Sequence, residues 1–155
     1  MSNVYYIYDS AFGKIVIGSD GSAISYLKTD GSFIPIGKKE ANALTDKAAR
    51  QLDEYFAGKR DRFDVPLVPN GTDFQCSVWK ALLDIQYGET RSYKQVAFAI
   101  NKPNACRAVG MANNKNPIWI IIPCHRVIGS DGTLTGYGGG LDMKQKLLEL
   151  EKNVF

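Results

Sequence analysis

Apolar and polar positions in the first 66 residues follow the pattern of short strands and one helix. Three β-branched or aromatic runs, separated by turns of Gly, Asp and Ser, predict a small antiparallel sheet. These runs are Val4–Tyr8, Lys14–Gly18 and Ala23–Leu27. Apolar residues then recur every four positions, which predicts a helix over Ala43–Phe56, and a last strand is expected at Arg62–Leu67. No group of residues in this half has the spacing of a catalytic motif, so we interpret this half as structural support.

In the second half of the chain the periodicity becomes helical. It predicts a long helix over Thr72–Tyr87 and two short helices at about Tyr93–Ile100 and Asn104–Ala112. Pro103 lies in the tight turn between the short helices, and such a pair is typical of a helix-turn-helix.

The composition narrows the class of protein. With 155 residues, 45% hydrophobic and 23% charged, the chain is an ordinary globular protein rather than a disordered one. The change of periodicity divides it into two small domains, residues 1–70 and 71–155, in an α+β fold. No run approaches the roughly 18 apolar residues of a membrane span, and no secretory signal is visible.

Three widely spaced cysteines and one histidine argue against disulfides or a zinc site, and for the reducing cytoplasm. Cys76 and Cys106 lie among apolar helical positions, so we interpret them as small core residues.

Basic residues are concentrated in one block of the sequence. The chain has a net charge of +3 with Asp+Glu 16, yet residues 90–130 contain six basic residues and no acidic one. These six are Arg91, Lys94, Lys102, Arg107, Lys115 and Arg126. A surface of this charge suits an anionic partner, most commonly nucleic acid. Chance clustering on a solvated face is the alternative.

The sequence Pro-Cys-His-Arg-Val at 123–127 is the strongest candidate for chemistry. It follows the apolar run Ile118–Ile122, which predicts a buried strand. Cys124 stands beside the only histidine, His125, and near Arg126, and such cations favour a thiolate. Since consecutive strand residues point to opposite faces, a turn or a bridging water is needed if Cys124 and His125 act together. The alternative for Cys124 is a buried structural cysteine.

Two further features lie C-terminal to this motif. Residues 129–140 contain six glycines, which lets backbone N–H groups approach a flat ligand, although no phosphate-binding signature follows. A last helix is predicted over Leu141–Lys152, and its period places Glu151 in the apolar sector. A buried carboxylate needs a partner, for which His125 and Arg126 are the candidates. Fraying of Glu151 into solvent at the chain end is the alternative.

The motif at 123–127 and the glycine-rich segment at 129–141 together resemble the active-site segment of the O6-alkylguanine-DNA alkyltransferases, also called methylated-DNA–protein-cysteine methyltransferases. The resemblance continues through residues 71–152, at Phe74, Val78–Lys80, Tyr87–Thr90, Ser92–Tyr93, Arg107–Gly110 and Asn116–Pro117. It implies a ribonuclease H-like N-terminal domain as support, and a C-terminal DNA-binding and alkyltransferase domain with a winged helix-turn-helix. The N-terminal half resembles the family only in length and in its order of strands and helix.

The resemblance implies direct-reversal DNA repair that needs no cofactor or metal. A monomer would flip an O6-alkylguanine out of double-stranded DNA, O6-methylguanine above all, with O4-methylthymine as a further substrate. It would transfer the alkyl group irreversibly to Cys124, so that each molecule acts once. The implied catalytic residues are Cys124, His125 as a water-mediated base, Glu151 as its support, Asn116 and Tyr93. The implied DNA contacts are Arg107, which fills the vacated stack, Tyr93, Lys94, Lys102, Gly110 and Ser130. The implied substrate pocket comprises Cys124, Val127, Gly138 and Trp119.

Two residues depart from the pattern of many relatives. Trp119 stands where they have a proline near the alkyl pocket, so it either restricts the pocket or alternates away into the core. Lys102 precedes Pro103 where they often have Asn.

An alternative function is a non-catalytic alkyltransferase-like protein that binds damaged DNA, although such proteins usually lack the reactive cysteine. A gene regulator that uses the helix-turn-helix after methylation and a cysteine hydrolase that turns over an acyl substrate are the remaining hypotheses.

Overall fold

The computed structural model describes residues 3–31, 33–134, 137 and 140–153. The chain divides into two compact units, residues 1–70 and 71–155. Within the described residues, no helix combines the length and the apolar character needed to cross a lipid bilayer.

The first unit contains a four-stranded sheet in the order β3-β2-β1-β4. Its strands are β1 (Val4–Ser10), β2 (Gly13–Ser19), β3 (Ile24–Thr29) and β4 (Lys38–Lys39). The first three pair antiparallel, as their alternation with turns predicts, while the short edge strand β4 pairs parallel to β1. Ile15, Val16 and Ile17 of the inner strand β2 are buried, which places this strand in the core of the unit.

The prediction of a strand at Arg62–Leu67 is wrong. A single parallel bridge joins Leu67 to Ile24. The Ile24 N–H donates to the Pro66 carbonyl and the Val68 N–H donates to the Ile24 carbonyl, both at 2.8 Å. Because Pro66 has no N–H to donate, a regular ladder cannot extend through it.

Helix α1 (Ala43–Phe56) has the bounds that its four-residue period predicts. Asn42 caps it, since its side chain accepts from the Thr45 N–H at 2.8 Å and its own N–H donates to the Thr45 hydroxyl at 2.9 Å. Leu52 and Tyr55 are buried on the face that packs against β1 and β2.

The second unit is mainly helical. Its elements are α2 (Asp73–Leu82), β5 (Arg91–Ser92), α3 (Tyr93–Ala99), α4 (Cys106–Asn114), β6 (Val127–Ile128) and α5 (Leu141–Asn153). Strands β5 and β6 form a small parallel pair. Thr72 caps α2 and Ser92 caps α3, each in a capping box with the glutamine three residues later. Helix α2 packs against α3 and α4, and the Trp79 indole N–H donates to the Ala112 carbonyl at 2.8 Å.

Helices α3 and α4 are consecutive and packed together, as the predicted helix-turn-helix requires. Asn101 in the connecting turn has a φ of +62°, in the left-handed region that asparagine tolerates. The Lys102 N–H donates to the Ala97 carbonyl at 2.9 Å and closes the end of α3. Helix α4 begins at Cys106 rather than at Asn104.

One helix end and two cysteines differ from the predictions. Helix α2 ends at Leu82 rather than at Tyr87, because the chain enters turns in which the apolar Ile85 stays buried. Cys76 and Cys106, expected in the core, are only partly buried.

The prediction of a buried strand at Ile118–Ile122 is wrong, because most of this segment forms turns. The Ile121 N–H bonds to the Trp119 carbonyl at 2.8 Å. Ile120 has a φ of +72°, a strained value for a β-branched residue. All five side chains are buried, so the apolar composition indicated burial correctly but did not distinguish an extended strand from turns.

Candidate active site

Cys124 begins a short 3₁₀ turn, Cys124–Arg126, directly after this buried segment. The residue is 2% exposed, and its N–H donates to the Ile122 carbonyl at 2.8 Å. Its carbonyl accepts from Asn113 Nδ2 at 3.3 Å and from the N–H of Val127. The thiol therefore lies on a turn. This is one of the two arrangements that would let Cys124 and the neighbouring histidine act together.

The environment of Cys124 disfavours a free thiolate at rest. Burial raises the pKa of the Cys124 thiol to about 11. A side-chain hydrogen bond with Asn116 and the positive charge of Lys144 act in the opposite direction. The thiol is therefore protonated near neutral pH, and attack on a substrate needs a base that removes its proton.

Asn116 braces the segment that leads into the turn. Its Nδ2 donates to the Ile122 carbonyl at 2.8 Å, and its Oδ1 accepts from the Ile118 N–H at 3.0 Å. The residue is buried, so both bonds are shielded from water. They hold the two ends of the segment in place next to Cys124.

His125 is fully buried and contacts Glu151 of α5. Its Nε2 lies 2.6 Å from Glu151 Oε2. Because an ionised carboxylate only accepts, this contact assigns the N–H to Nε2 and leaves Nδ1 as an acceptor. Nδ1 is buried and has no hydrogen-bond partner among the described residues. Burial lowers the pKa of His125, although Glu151 opposes the shift, so the imidazole is neutral at neutral pH and able to take up a proton.

Arg126 shares the same carboxylate. Its Nε donates to Glu151 Oε1 at 2.8 Å and its Nη2 to Oε2 at 3.0 Å, while its Nη1 donates to the Ile85 carbonyl at 2.6 Å. Burial by itself raises the pKa of Glu151, but the hydrogen bonds and charges of His125 and Arg126 outweigh it and hold this pKa well below its usual range. Glu151 thus lies inside, as its helical period predicts, and binds both candidate partners at once.

Trp119 packs against an aromatic ring that borders this site. The residue is 5% exposed, and its ring centroid lies 5.8 Å from that of Tyr137 at an interplanar angle of 46°. Burial raises the pKa of Tyr137 well above its usual value, and the nearby Cys124 adds to the shift. Tyr137 is therefore close enough to Cys124 for their ionisations to interact, and Trp119 packs against this ring.

The residues expected to contact DNA belong to the second unit, and several lie in or beside the helix-turn-helix. The exposed ones are Lys94, Lys102, Arg107 and Ser130. Tyr93 is half-buried in the first turn of α3, and a Cβ on Gly110 of α4 would lie 3.8 Å from its ring, so these two residues are neighbours. Gly138, expected in the substrate pocket, lies outside the described residues.

Two residues of the site were not predicted from the sequence. Lys144 of α5 is 0% exposed, and its Nζ donates to the Val127 carbonyl at 2.5 Å. At 100° per residue, Lys144 lies about 20° from Glu151 around the helix, so the same period places it in the apolar sector. The burial of Lys144 could therefore have been predicted from the sequence. Asn113 is buried on α4. Nothing in the sequence distinguishes it from a polar residue on the exposed face of a helix, so its place in the site could not be predicted.

Comparison with known proteins agrees with this architecture over nearly the whole chain. Residues 73–153 match the family described as 6-O-methylguanine DNA methyltransferase, DNA binding domain, and residues 3–69 match its ribonuclease-like domain. The methylated-DNA–protein-cysteine methyltransferase of Methanosarcina barkeri is 53% identical over 96% of this chain and 97% of that protein. That of Mycobacterium leprae is 49% identical over 94% and 90%. The crystal structure of Mycobacterium tuberculosis OGT in complex with DNA has a TM-score of 0.91 at 50% identity, covering 96% of this chain and 92% of that one.

The fold and site define an α+β protein in which a ribonuclease-like unit precedes a DNA-binding unit with a buried cysteine centre. The chain belongs to the 6-O-methylguanine DNA methyltransferase family.

Proposed function

We propose that this protein repairs O6-alkylguanine in double-stranded DNA by taking the alkyl group onto Cys124, once per molecule. The observation that carries the proposal is a buried thiol on a tight turn, followed directly by a neutral imidazole that a carboxylate fixes at 2.6 Å. The relatives are named methylated-DNA–protein-cysteine methyltransferases, and the family description names 6-O-methylguanine. O6-methylguanine is therefore the expected main substrate, with O4-methylthymine as a further one.

The proposed reaction is a single displacement at the alkyl carbon. His125 Nδ1 accepts the Cys124 proton through a water, and the sulfur attacks the carbon in line with the breaking bond. The S–C bond forms as the C–O6 bond breaks, and the bonding electron pair leaves with the guanine oxygen. The proton held by His125 then passes to the guanine ring, which departs as neutral guanine. The thioether has no route back to a thiol, so the protein does not turn over.

Neighbouring residues hold the reacting groups in place. Glu151 keeps the proton of the resting imidazole on Nε2, and Arg126 keeps that carboxylate ionised. Asn116 braces the chain before the turn and favours ionisation of the thiol. Tyr93 is proposed to donate a hydrogen bond to the guanine as negative charge develops on it.

The second unit supplies the proposed DNA contacts, and the first unit serves as structural support. The target base must leave the stack because its O6 atom is inaccessible within the duplex. Arg107, exposed on α4, is proposed to occupy the vacated position, with Tyr93 and Gly110 beside the flipped nucleotide. The phosphate contacts are proposed to be Lys94, Lys102 and Ser130. The pocket for the flipped base would use the carbonyls of Cys124 and Val127 and the N–H of Gly138.

Trp119 is proposed to narrow the alkyl pocket. Its buried indole packs on Tyr137, which in turn lies close to Cys124. A methyl group needs little room beside the sulfur, whereas a benzyl group needs space for a second ring. The pocket should therefore favour small alkyl groups.

The alternative, a protein that binds alkylated DNA without repairing it, has less support. Cys124 is present, and it precedes a buried histidine that a carboxylate orients. A pure binding protein has no need for this arrangement. The proposal includes a cytoplasmic location, which the three free thiols support, and action as a monomer.

The decisive experiment is intact mass spectrometry after incubation with duplex DNA that contains one O6-methylguanine. We expect the protein to gain one methyl group, located by peptide mapping on the peptide that contains Cys124, in a one-to-one amount with the DNA. Cys124→Ser should bind the same DNA without gaining a methyl group, because an alcohol is nearly isosteric but a far poorer nucleophile. Cys76→Ser is the matched control and should react like the unmodified protein. Methylation of the Cys124→Ser variant would refute the assignment of the nucleophile.

A further inference from the structure

Helix α4 places an asparagine side chain against the turn that carries the proposed nucleophile. Asn113 is 1% exposed, and its Nδ2 donates to the Cys124 carbonyl at 3.3 Å. Because a carbonyl oxygen only accepts hydrogen bonds, this contact fixes which end of the amide is the nitrogen and which is the oxygen. Oδ1 is buried as well and has no hydrogen-bond partner among the described residues. A buried acceptor of this kind is costly unless a ligand supplies a donor.

Three other acceptors in or next to this turn already have a partner or a proposed role. The Cys124 carbonyl accepts from Asn113 and from the Val127 N–H, which engages both of its lone pairs. The Val127 carbonyl accepts from Lys144 Nζ at 2.5 Å. His125 Nδ1 is proposed to take up the thiol proton. Asn113 Oδ1 therefore differs from these three acceptors, because neither the fold nor the proposed reaction gives it a role.

The chemistry of an amide oxygen restricts what can pair with it. It accepts and never donates, so a ligand must offer an N–H or O–H. In an O6-alkylguanine the alkyl group leaves N1 without a proton, and the 2-amino group is then the donor of the ring edge. In O4-methylthymine the ring nitrogen N3 also lacks a proton, and there is no amino group. Asn113 Oδ1 thus suits the alkylated guanine and not the alkylated thymine.

We propose that Asn113 Oδ1 accepts a hydrogen bond from the 2-amino group of the flipped guanine, and so selects guanine over thymine. The inference rests on the proposed function, and it adds a side-chain acceptor to the Cys124 and Val127 carbonyls of the base pocket. The bond from Nδ2 to the Cys124 carbonyl fixes the amide before the base arrives, so little ordering is needed on binding. Asn113 is then a substrate-binding residue on the same helix as Arg107.

A purely structural role for Asn113 makes a different prediction. The bond from Nδ2 braces the turn whichever base enters the pocket, so its loss would slow every substrate by the same factor. A bond from Oδ1 to the amino group forms with a base that has this group and cannot form with one that lacks it. Two bases that differ only in the amino group therefore distinguish the two roles.

The test compares O6-methylguanine with O6-methylhypoxanthine, which lacks the 2-amino group and is otherwise identical. Each base is placed in the same duplex, and the second-order rate constant for methyl transfer to Cys124 is followed by peptide mass. The variants are Asn113→Leu, Asn113→Ala and, as the matched control, Asn114→Ala, an exposed asparagine on the same helix. Circular dichroism verifies that each variant is folded, and either folded Asn113 variant suffices. Because all proteins react with the same two duplexes, the difference in base pairing between these duplexes cancels.

The deciding quantity is the ratio of the rate constant for O6-methylguanine to that for O6-methylhypoxanthine. Asn113→Leu and Asn113→Ala should lower this ratio about tenfold, since they remove the bond that the amino group makes in the unmodified protein. Asn114→Ala should keep the ratio of the unmodified protein. Repair of O4-methylthymine should respond to the Asn113 variants as repair of O6-methylhypoxanthine does, because both bases lack the amino group.

An unchanged ratio in a folded Asn113 variant would overturn the proposal and leave Asn113 as a brace of the turn. An equal decrease of the ratio in Asn114→Ala would overturn it too, because the effect would then not depend on the buried amide. If the unmodified protein gained no methyl group from either duplex, the proposed function itself would fail. Methyl transfer by the unmodified protein together with an unchanged ratio in the variants would refute the role of Asn113 alone.

Discussion

At the scale of single residues, the carboxylate of Glu151 organises the candidate site. It lies 2.6 Å from His125 and accepts two hydrogen bonds from Arg126, so it is both ionised and fixed in orientation. The sequence predicted its inward position and its two candidate partners. It did not indicate that both bind together, because that depends on a 3₁₀ turn where the local composition predicted the end of a strand.

The orienting role of Glu151 is tested by Glu151→Gln. A neutral amide no longer stabilises positive charge on the imidazole or requires the Nε2 proton, so we expect methyl transfer to slow about 10- to 100-fold with DNA affinity unchanged. Single-turnover rates with methylated duplex measure the loss. Since the chain has one histidine, ¹⁵N NMR of its imidazole reports the tautomer without overlap. Glu149→Gln, exposed on the same helix, is the control, and a normal rate in Glu151→Gln would contradict the role.

The role of Trp119 is tested with free O6-benzylguanine. The buried indole against Tyr137 leaves little room for a benzyl ring, so the unmodified protein should lose little repair activity after incubation with this base. Trp119→Pro should be inactivated more readily, because the smaller ring opens the pocket. Residual methyl transfer to Cys124 after treatment is the measurement. Strong inactivation of the unmodified protein would mean that the indole belongs to the core rather than to the pocket.

At the scale of elements, local sequence signals predicted helices better than extended segments. Helix α1 has its predicted bounds because a four-residue apolar period is a property of the segment itself. A strand also needs a partner, which local sequence does not specify. The apolar segment Ile118–Ile122 is buried as predicted, but it folds as turns that Asn116 braces from its side chain. The apolar composition of the segment does not specify these bonds, because Asn116 lies outside it.

The attachment of α5 to the turn at 124–126 should make the second unit sensitive to acid. The native pKa values of His125 and Glu151 are both lowered, so the unfolded chain binds more protons and stability rises with pH. The contribution of His125 is lost as pH falls below its unfolded value of about 6.5, and that of Glu151 as pH falls below about 4.3.

Urea unfolding between about pH 7.5 and pH 4 measures this dependence. Both tryptophans, Trp79 and Trp119, lie in residues 71–155, so their fluorescence follows the second unit. We expect the midpoint to decrease steadily below about pH 6.5, each unit of pKa difference being worth about 1.4 kcal/mol. His125→Gln should remove the part of the decrease that begins at about pH 6.5, above the range in which carboxylates titrate. A midpoint that stays constant just below about pH 6.5 in the unmodified protein would show that native His125 is not held neutral.

At the scale of the whole molecule, charge divides the chain into a balanced part and a basic part. Residues 1–70 contain equal numbers of acidic and basic residues, whereas residues 90–130 contain no acidic one. The sequence count of six basic residues nevertheless overstates the charge available to DNA. Arg126 is 7% exposed and bound to Glu151, so it belongs to the site, and Arg91 is half-buried. The exposed members are Lys94, Lys102, Arg107 and Lys115.

Substitutions of these exposed cations should distinguish a residue that binds DNA from a residue that extrudes the base. The affinity for duplex DNA should decrease steeply with salt, and Lys94→Ala should lower the slope of log affinity against log salt by about one, since one phosphate contact is lost. Arg107→Ala should instead slow repair of duplex DNA far more than reaction with free O6-methylguanine, because the free base needs no extrusion. Lys59→Ala, exposed in the first unit, is the control and should leave both reactions and the slope unchanged. If Arg107→Ala slowed both substrates equally, Arg107 would act on the thiol site or on folding, and the proposed entry of its side chain into the stack would be wrong.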